Sequence, residues 1–149
     1  MEIKDVMGRV EKMLRRWPDI EDAVKEAKTS HGGHSGGSGH SRISDPTACT
    51  AIRRVEELRK IRLSNGYEVI YPERWLKSFT TAMRQGDSLV RRVMIRRYKL
   101  GESYIKTAVD LSISERTYYS LVEDTKTRVA LVAVQLGLIK VLHEKKNCG

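Results

Sequence analysis

Along most of the chain, apolar side chains recur every three or four positions with charged residues between them, the spacing of amphipathic helices. Ile3, Val6, Met7, Val10, Leu14 and Trp17 form the first such stripe. Pro18 ends it, because proline has no amide hydrogen to donate and crowds the preceding turn, and Ile20, Ala23, Val24 and Ala27 mark a second short helix. Together these predict an N-terminal helical arm over 1–28, packed preferentially within its own chain. Thr29 to Arg42 is nearly all Gly, Ser and His, a composition that buries too little to offset backbone entropy, so 29–43 reads as a flexible linker. Order resumes at Asp45-Pro46, a cap followed by proline at the first helical position. Ala48, Ala51, Ile52, Val55, Leu58 and Ile61 predict a helix from there to about Leu63. Asn65-Gly66 is a turn signal, Tyr67 to Ile70 is a brief extended piece, and Pro72 opens a helix carrying Trp75, Leu76, Phe79 and Met83. After Gln85-Gly86, Asp87 or Ser88 caps a further helix, with Leu89, Val90, Val93, Met94 and Tyr98 inward and Arg91, Arg92, Arg96 and Arg97 on the opposite edges.

The stretch from Gly101 to Glu123 fits a helix, a tight turn and a second helix. Ile105, Ala108, Val109 and Leu111 give the first helix its apolar side, and Ala108 is small where two helices cross closely. Ser114 caps the second, and Ile113, Tyr118, Leu121 and Val122 point back into the domain. Glu115, Arg116, Tyr119 and Ser120 are left outward, on the face that a DNA-binding helix-turn-helix inserts into the major groove. At the turn, where glycine ordinarily reaches positive φ without strain, stands Ser112. The helical pattern then continues through Val129, Val132, Ala133 and Leu136 to Gly137, with Leu138, Ile139, Val141 and Leu142 beyond. This last helix either closes the core or forms the seam of a homodimer. The fold class expected is all-α: an N-terminal arm, the linker, and a helical domain over 44–149 with its helix-turn-helix near 101–123.

Charge adds a partner to this picture. The 149 residues carry a formal net charge of +9. Residues 1–52 balance eight basic against eight acidic side chains, whereas 53–100 hold 13 basic against 5 acidic, immediately before the helix-turn-helix. Such an excess suits a polyanion, and double-stranded DNA is preferred to a membrane because the longest apolar run, Val129 to Leu142, is interrupted by Gln135 and Lys140 and too short to span. The N-terminus lacks the apolar core of an export signal, and Cys49 and Cys148 read as free thiols, so a reducing cytoplasm is expected. His31, His34 and His40 lie among flexible glycines without Cys or carboxylate companions, so no metal is assigned to them, and no cofactor is expected.

Four segments carry a family resemblance: LRRWPDIEDAV, the Gly/Ser-rich linker running into ISDPTACTAI, VRRVMIRRYKLGESYIKTAVDLSISERTYYSLVE, and RVALVAVQLGLI. In this order they resemble phage-encoded transcriptional activators of the RinA and ArpU type, whose C-terminal region is similar to region 4 of bacterial sigma factors. The resemblance implies sequence-specific binding near a phage late-gene or packaging-gene promoter and recruitment of bacterial RNA polymerase in the host cytoplasm. Ser112 at the turn and the acidic Glu123-Asp124 pair depart from the pattern.

On this reading Arg116 reads guanine or clamps phosphate, Tyr119 and Ser120 contact bases or backbone, and Lys106 with Arg96 and Arg97 neutralises phosphates. Ser114 and Thr117, at the start of the second helix, complete the DNA-binding set. Glu115 sits at capping-box spacing from Ser112 and is assigned to the cap in preference to a cytosine amine. The chain shows no phosphate-cradling glycine loop, no metal-ligand spacing and no nucleophile elbow, so an enzyme is not expected. The alternative function is a small terminase-like packaging protein that assembles on DNA through a similar motif. A polymerase-binding factor lacking its own operator ranks below both.

Overall fold

The structure, a computed structural model, describes residues 3–29 and 56–140. It is mostly helical with one two-stranded antiparallel sheet. In chain order the elements are α1 (Ile3–Arg15), α2 (Trp17–Thr29), β1 (Lys60–Arg62), β2 (Glu68–Ile70), α3 (Pro72–Arg84), α4 (Ser88–Met94), a π-helical turn (Ile95–Lys99), α5 (Tyr104–Leu111) and α6 (Glu115–Gln135). Two compact units emerge, one from the described residues of 1–18 and 74–140 and the other from those of 19–73.

In the smaller unit, Asn65-Gly66 forms the expected turn, with Gly66 at φ +86° where a side chain would be strained. The hairpin it closes pairs Ile61 with Val69, and both are buried together with Leu63. This corrects the expectation of a helix running to about Leu63. The start of that helix lies outside the described residues, but Lys60-Ile61-Arg62-Leu63 alternates polar with apolar, and the period of two wins because Glu68-Val69-Ile70 supplies a partner strand. Arg62 and Lys60 both reach Glu68 across the pair, at 3.2 and 3.5 Å. Glu73 accepts the Leu58 amide at 3.1 Å and pairs with Lys28. On α2 Ile20 is buried, whereas Ala27, expected inward, is exposed. The linker beyond Thr29, its three histidines and both cysteines lie outside the described residues.

The larger unit is organised by α6. Its 21 residues run unbroken from the turn at Ser112 to a C-terminal cap at Gly137, with α1, α4 and α5 all packed against it. Val122, Val129 and Ala133 are buried along its inner side. The helix ends in a Schellman motif: Leu138 donates to Ala133 O at 2.9 Å, Gly137 donates to Val134 O at 3.1 Å, and Gly137 takes φ +76°. Arg74 adds a bond to Leu136 O at 3.2 Å. At the other end of the core, the Phe79 ring lies 5.3 Å from Trp17 and 6.2 Å from Trp75. α1 contributes to this core as well. Met13, not assigned inward from the sequence, joins Val10, Leu14 and Trp17 in the core.

The link between α5 and α6 is a second Schellman motif. Ile113 donates to Ala108 O at 3.0 Å and Ser112 to Val109 O at 3.2 Å, with Ser112 left-handed at φ 54°, ψ 44°. A residue with a Cβ pays about 1–2 kcal/mol for this conformation. Ser112→Gly is expected to raise stability by about 0.5–1 kcal/mol, the relief being partly offset by glycine's greater unfolded-state entropy, and to appear as a higher denaturant midpoint at unchanged m.

Candidate nucleic-acid interface

Each helix of the α5–α6 pair begins on a serine cap. The Ser103 oxygen accepts the Lys106 amide at 3.3 Å, and the Ser114 oxygen accepts the Thr117 amide at 3.1 Å while donating to the Thr117 hydroxyl at 2.9 Å. The capping box expected between Ser112 and Glu115 does not form. Ser112 is committed to the left-handed turn and Ser114 is the cap, which leaves Glu115 as the first helical residue, where its charge favours the helix N-terminus. Ser114 and Thr117 thus already satisfy one another.

The inward side of α5 also differs from expectation. Ile105 and Val109 are 60% and 71% exposed, while Thr107 is fully buried beside Ala108. Two stripes compete on this helix, and Tyr104, Thr107, Ala108 and Leu111 form the one that faces α6 because the Thr107 hydroxyl finds an acceptor, Glu102 Oε2 at 3.3 Å. On α6, Tyr118 and Val122 are buried, and Glu115, Arg116, Tyr119 and Ser120 are exposed. Arg116, Tyr119 and Ser120 stand three and four positions apart, hence on one stripe. No hydrogen bond or ion pair engages the Arg116 side chain among the described residues. The Tyr119 ring is held edge-on to Tyr118 at 5.1 Å and 88°, and lies 5.6 Å from Tyr104.

Behind this face the cations divide. Arg96 Nη1 lies 2.8 Å from Asp110 and 3.4 Å from Glu102, stapling the π-helical turn to α5. Lys106, largely exposed, pairs with Glu102 at 3.6 Å. Arg97 turns inward: it donates to the Tyr118 hydroxyl at 3.1 Å, approaches Glu11 at 3.6 Å, and spans the Tyr98 and Tyr118 rings at 5.2 and 5.8 Å. Arg91 and Arg92 are exposed.

Glu11 on α1 collects the buried charge. Its carboxylate accepts the Tyr98 hydroxyl at 2.5 Å and faces Arg15 at 2.9 Å, Lys126 at 3.4 Å and Arg97. Burial opposes its ionisation, but the Tyr98 bond and the cations Lys126, Arg15 and Arg97 outweigh burial and hold the carboxyl below its ordinary range. Burial, then the adjoining carboxylate, pushes the Tyr98 phenol well up. Arg97 is driven further toward the charged form: desolvation opposes this, and its bonds to Tyr118 and Tyr98 exceed that opposition. No family model, curated protein or solved structure matches the chain.

Thus Arg116, Tyr119 and Ser120 come together on one exposed stripe. Arg96 on the π-helical turn and Lys106 on α5 are held in ion pairs, and Arg97 belongs to the supporting layer. Glu11, Glu102 and Thr107, which organise that layer, carried no functional assignment from the sequence. Among the described residues no group of His, Cys, Asp or Glu is placed to hold a metal ion, and no helix is long and apolar enough to cross a membrane.

Proposed function

We propose that this protein is a sequence-specific, double-stranded-DNA-binding transcription regulator without enzymatic activity. In this reading α5, the Ser112 turn and α6 act as a helix-turn-helix, with the first turns of α6 in the major groove. The observation that carries it is the exposed Arg116–Tyr119–Ser120 stripe at the start of a helix whose inner side is anchored by Tyr118 and Val122. A guanidinium free of partners among the described residues can donate two parallel bonds to guanine, and the two hydroxyls can take base edges or phosphate. The net charge of +9 supplies the sequence-independent attraction to phosphate. Arg91 and Arg92 join Lys106 as phosphate contacts, while Arg96 contributes field from within its carboxylate staple and Arg97 acts through Tyr118.

The resemblance to phage activators extends the proposal to a late-gene promoter and recruitment of bacterial RNA polymerase in the host cytoplasm. Selecting bound duplexes from a random pool, then transcribing from the recovered site with purified bacterial polymerase, tests both parts. A recurring site and a raised transcript level are expected. A many-subunit ring on DNA with no change in transcription would contradict the activator and favour a packaging protein.

A further inference from the structure

The tyrosine that stands at the candidate reading face does not rest on its own helix alone. Tyr119 packs edge-on against Tyr118, and the Tyr118 hydroxyl accepts from Arg97 Nη1 at 3.1 Å. Arg97 extends its other terminal nitrogen, Nη2, toward Glu11 Oε1 at 3.6 Å, and the second carboxylate oxygen takes the Tyr98 hydroxyl and Lys126. Three elements distant in sequence, α1, the π-helical turn and α6, therefore meet at one carboxylate. The side chains of Glu11 and Arg97 are 21% and 20% exposed, so their attraction is screened less than that of a surface pair. A guanidinium in this position without its carboxylate would turn toward solvent, releasing the Tyr118 hydroxyl and the face of its ring.

We infer that Glu11 is a positioning residue for the DNA-reading face: through Arg97 and Tyr118 it fixes the orientation of Tyr119, and hence the specificity of α6 for its site. This role rests on the nucleic-acid reading above. It makes a prediction opposite to that of simple electrostatics. Removing a carboxylate makes the protein one unit more positive, which strengthens attraction to any duplex. Loss of the positioning contact weakens binding to the correct duplex only.

The test uses the full chain, a duplex recovered by selection, and a scrambled duplex of equal length, with affinities read by fluorescence anisotropy. Glu11→Gln keeps an acceptor for Tyr98 and removes the charge. It is expected to bind the selected duplex about tenfold more weakly, and the scrambled duplex as well as or better than wild type. Tyr118→Phe, which retains the ring and loses only the hydroxyl, should reproduce that loss. Adding Glu11→Gln to Tyr118→Phe should produce little further change, since both break one chain of contacts. Far-ultraviolet circular dichroism matching wild type separates repositioning from unfolding. Equal weakening on both duplexes, additive losses in the double variant, or an unchanged preference in Tyr118→Phe would overturn the role while leaving the nucleic-acid reading in place. A wild-type protein without preference between the duplexes would overturn that reading and this role with it.

Discussion

Phe79→Ala is expected to cost about 3–5 kcal/mol of folding stability, enough to remove much of what a domain of this size possesses. Phe79 is fully buried, and its ring bridges Trp17, the residue that opens α2, and Trp75 on α3. Truncation forfeits the transfer free energy of the ring and leaves a cavity between two indoles. Those walls cannot close readily: Lys99 lies 5.0 Å over Trp17 and Arg9 5.9 Å over Trp75, so each indole is engaged on another side. Phe79→Leu, which refills most of the volume, should recover more than half of the loss. Denaturant titration provides the measurement. A midpoint shift worth less than about 1 kcal/mol would show that the three rings are not the keystone of this core.

Arg116→Ala is expected to weaken binding to the cognate duplex by about 1–3 kcal/mol, roughly five- to 150-fold, and to relax the base preference at one position of the site. The residue is exposed, follows the Ser114 cap by two positions and has no hydrogen bond or ion pair to break among the described residues before it meets DNA. Arg116→Lys separates the two functions the guanidinium can serve. A phosphate clamp survives the exchange, because the charge remains; bidentate reading of guanine does not, because lysine lacks the planar fork. If Arg116→Lys binds the cognate duplex as tightly as wild type, Arg116 is a phosphate contact and base reading passes to Tyr119 and Ser120. If Arg116→Ala also binds unchanged, α6 does not present its first turns to DNA.

Much of this architecture was legible in the sequence, where local chemistry and periodicity agreed. Asp87 caps α4, accepting the Val90 amide at 3.1 Å, Pro72 opens α3, and the helix beginning after Ser114 runs to the Gly137 signal. The structure departs from the sequence pattern where a residue's polarity does not decide its exposure. Thr107 is polar and fully buried because Glu102 satisfies its hydroxyl, whereas apolar Ile105 and Val109 face outward. Arg97, charged like the outward Arg91 and Arg92, stands four positions after Val93 and seven after Val90, on the very stripe that is buried. Its inward position required a carboxylate from α1, which no local pattern reveals. The hairpin strand β1 was hidden for another reason: three residues of alternation become a strand only when β2 pairs with them. Of the candidate interface, the outward set on α6 followed from helical spacing, but the ion pairs that commit Arg96 and the charge centre at Glu11 are tertiary facts.

The central claim is that the α6 face distinguishes one DNA sequence from another. Its most direct test is the equilibrium affinity of the unmodified protein for a selected duplex against a scrambled duplex of the same length and composition, across a range of salt concentrations. Both affinities are expected to fall with added salt, and near physiological salt the selected duplex is expected to bind about a thousandfold or more tightly than the scrambled one. Equal affinity for the two duplexes at every salt concentration would contradict it.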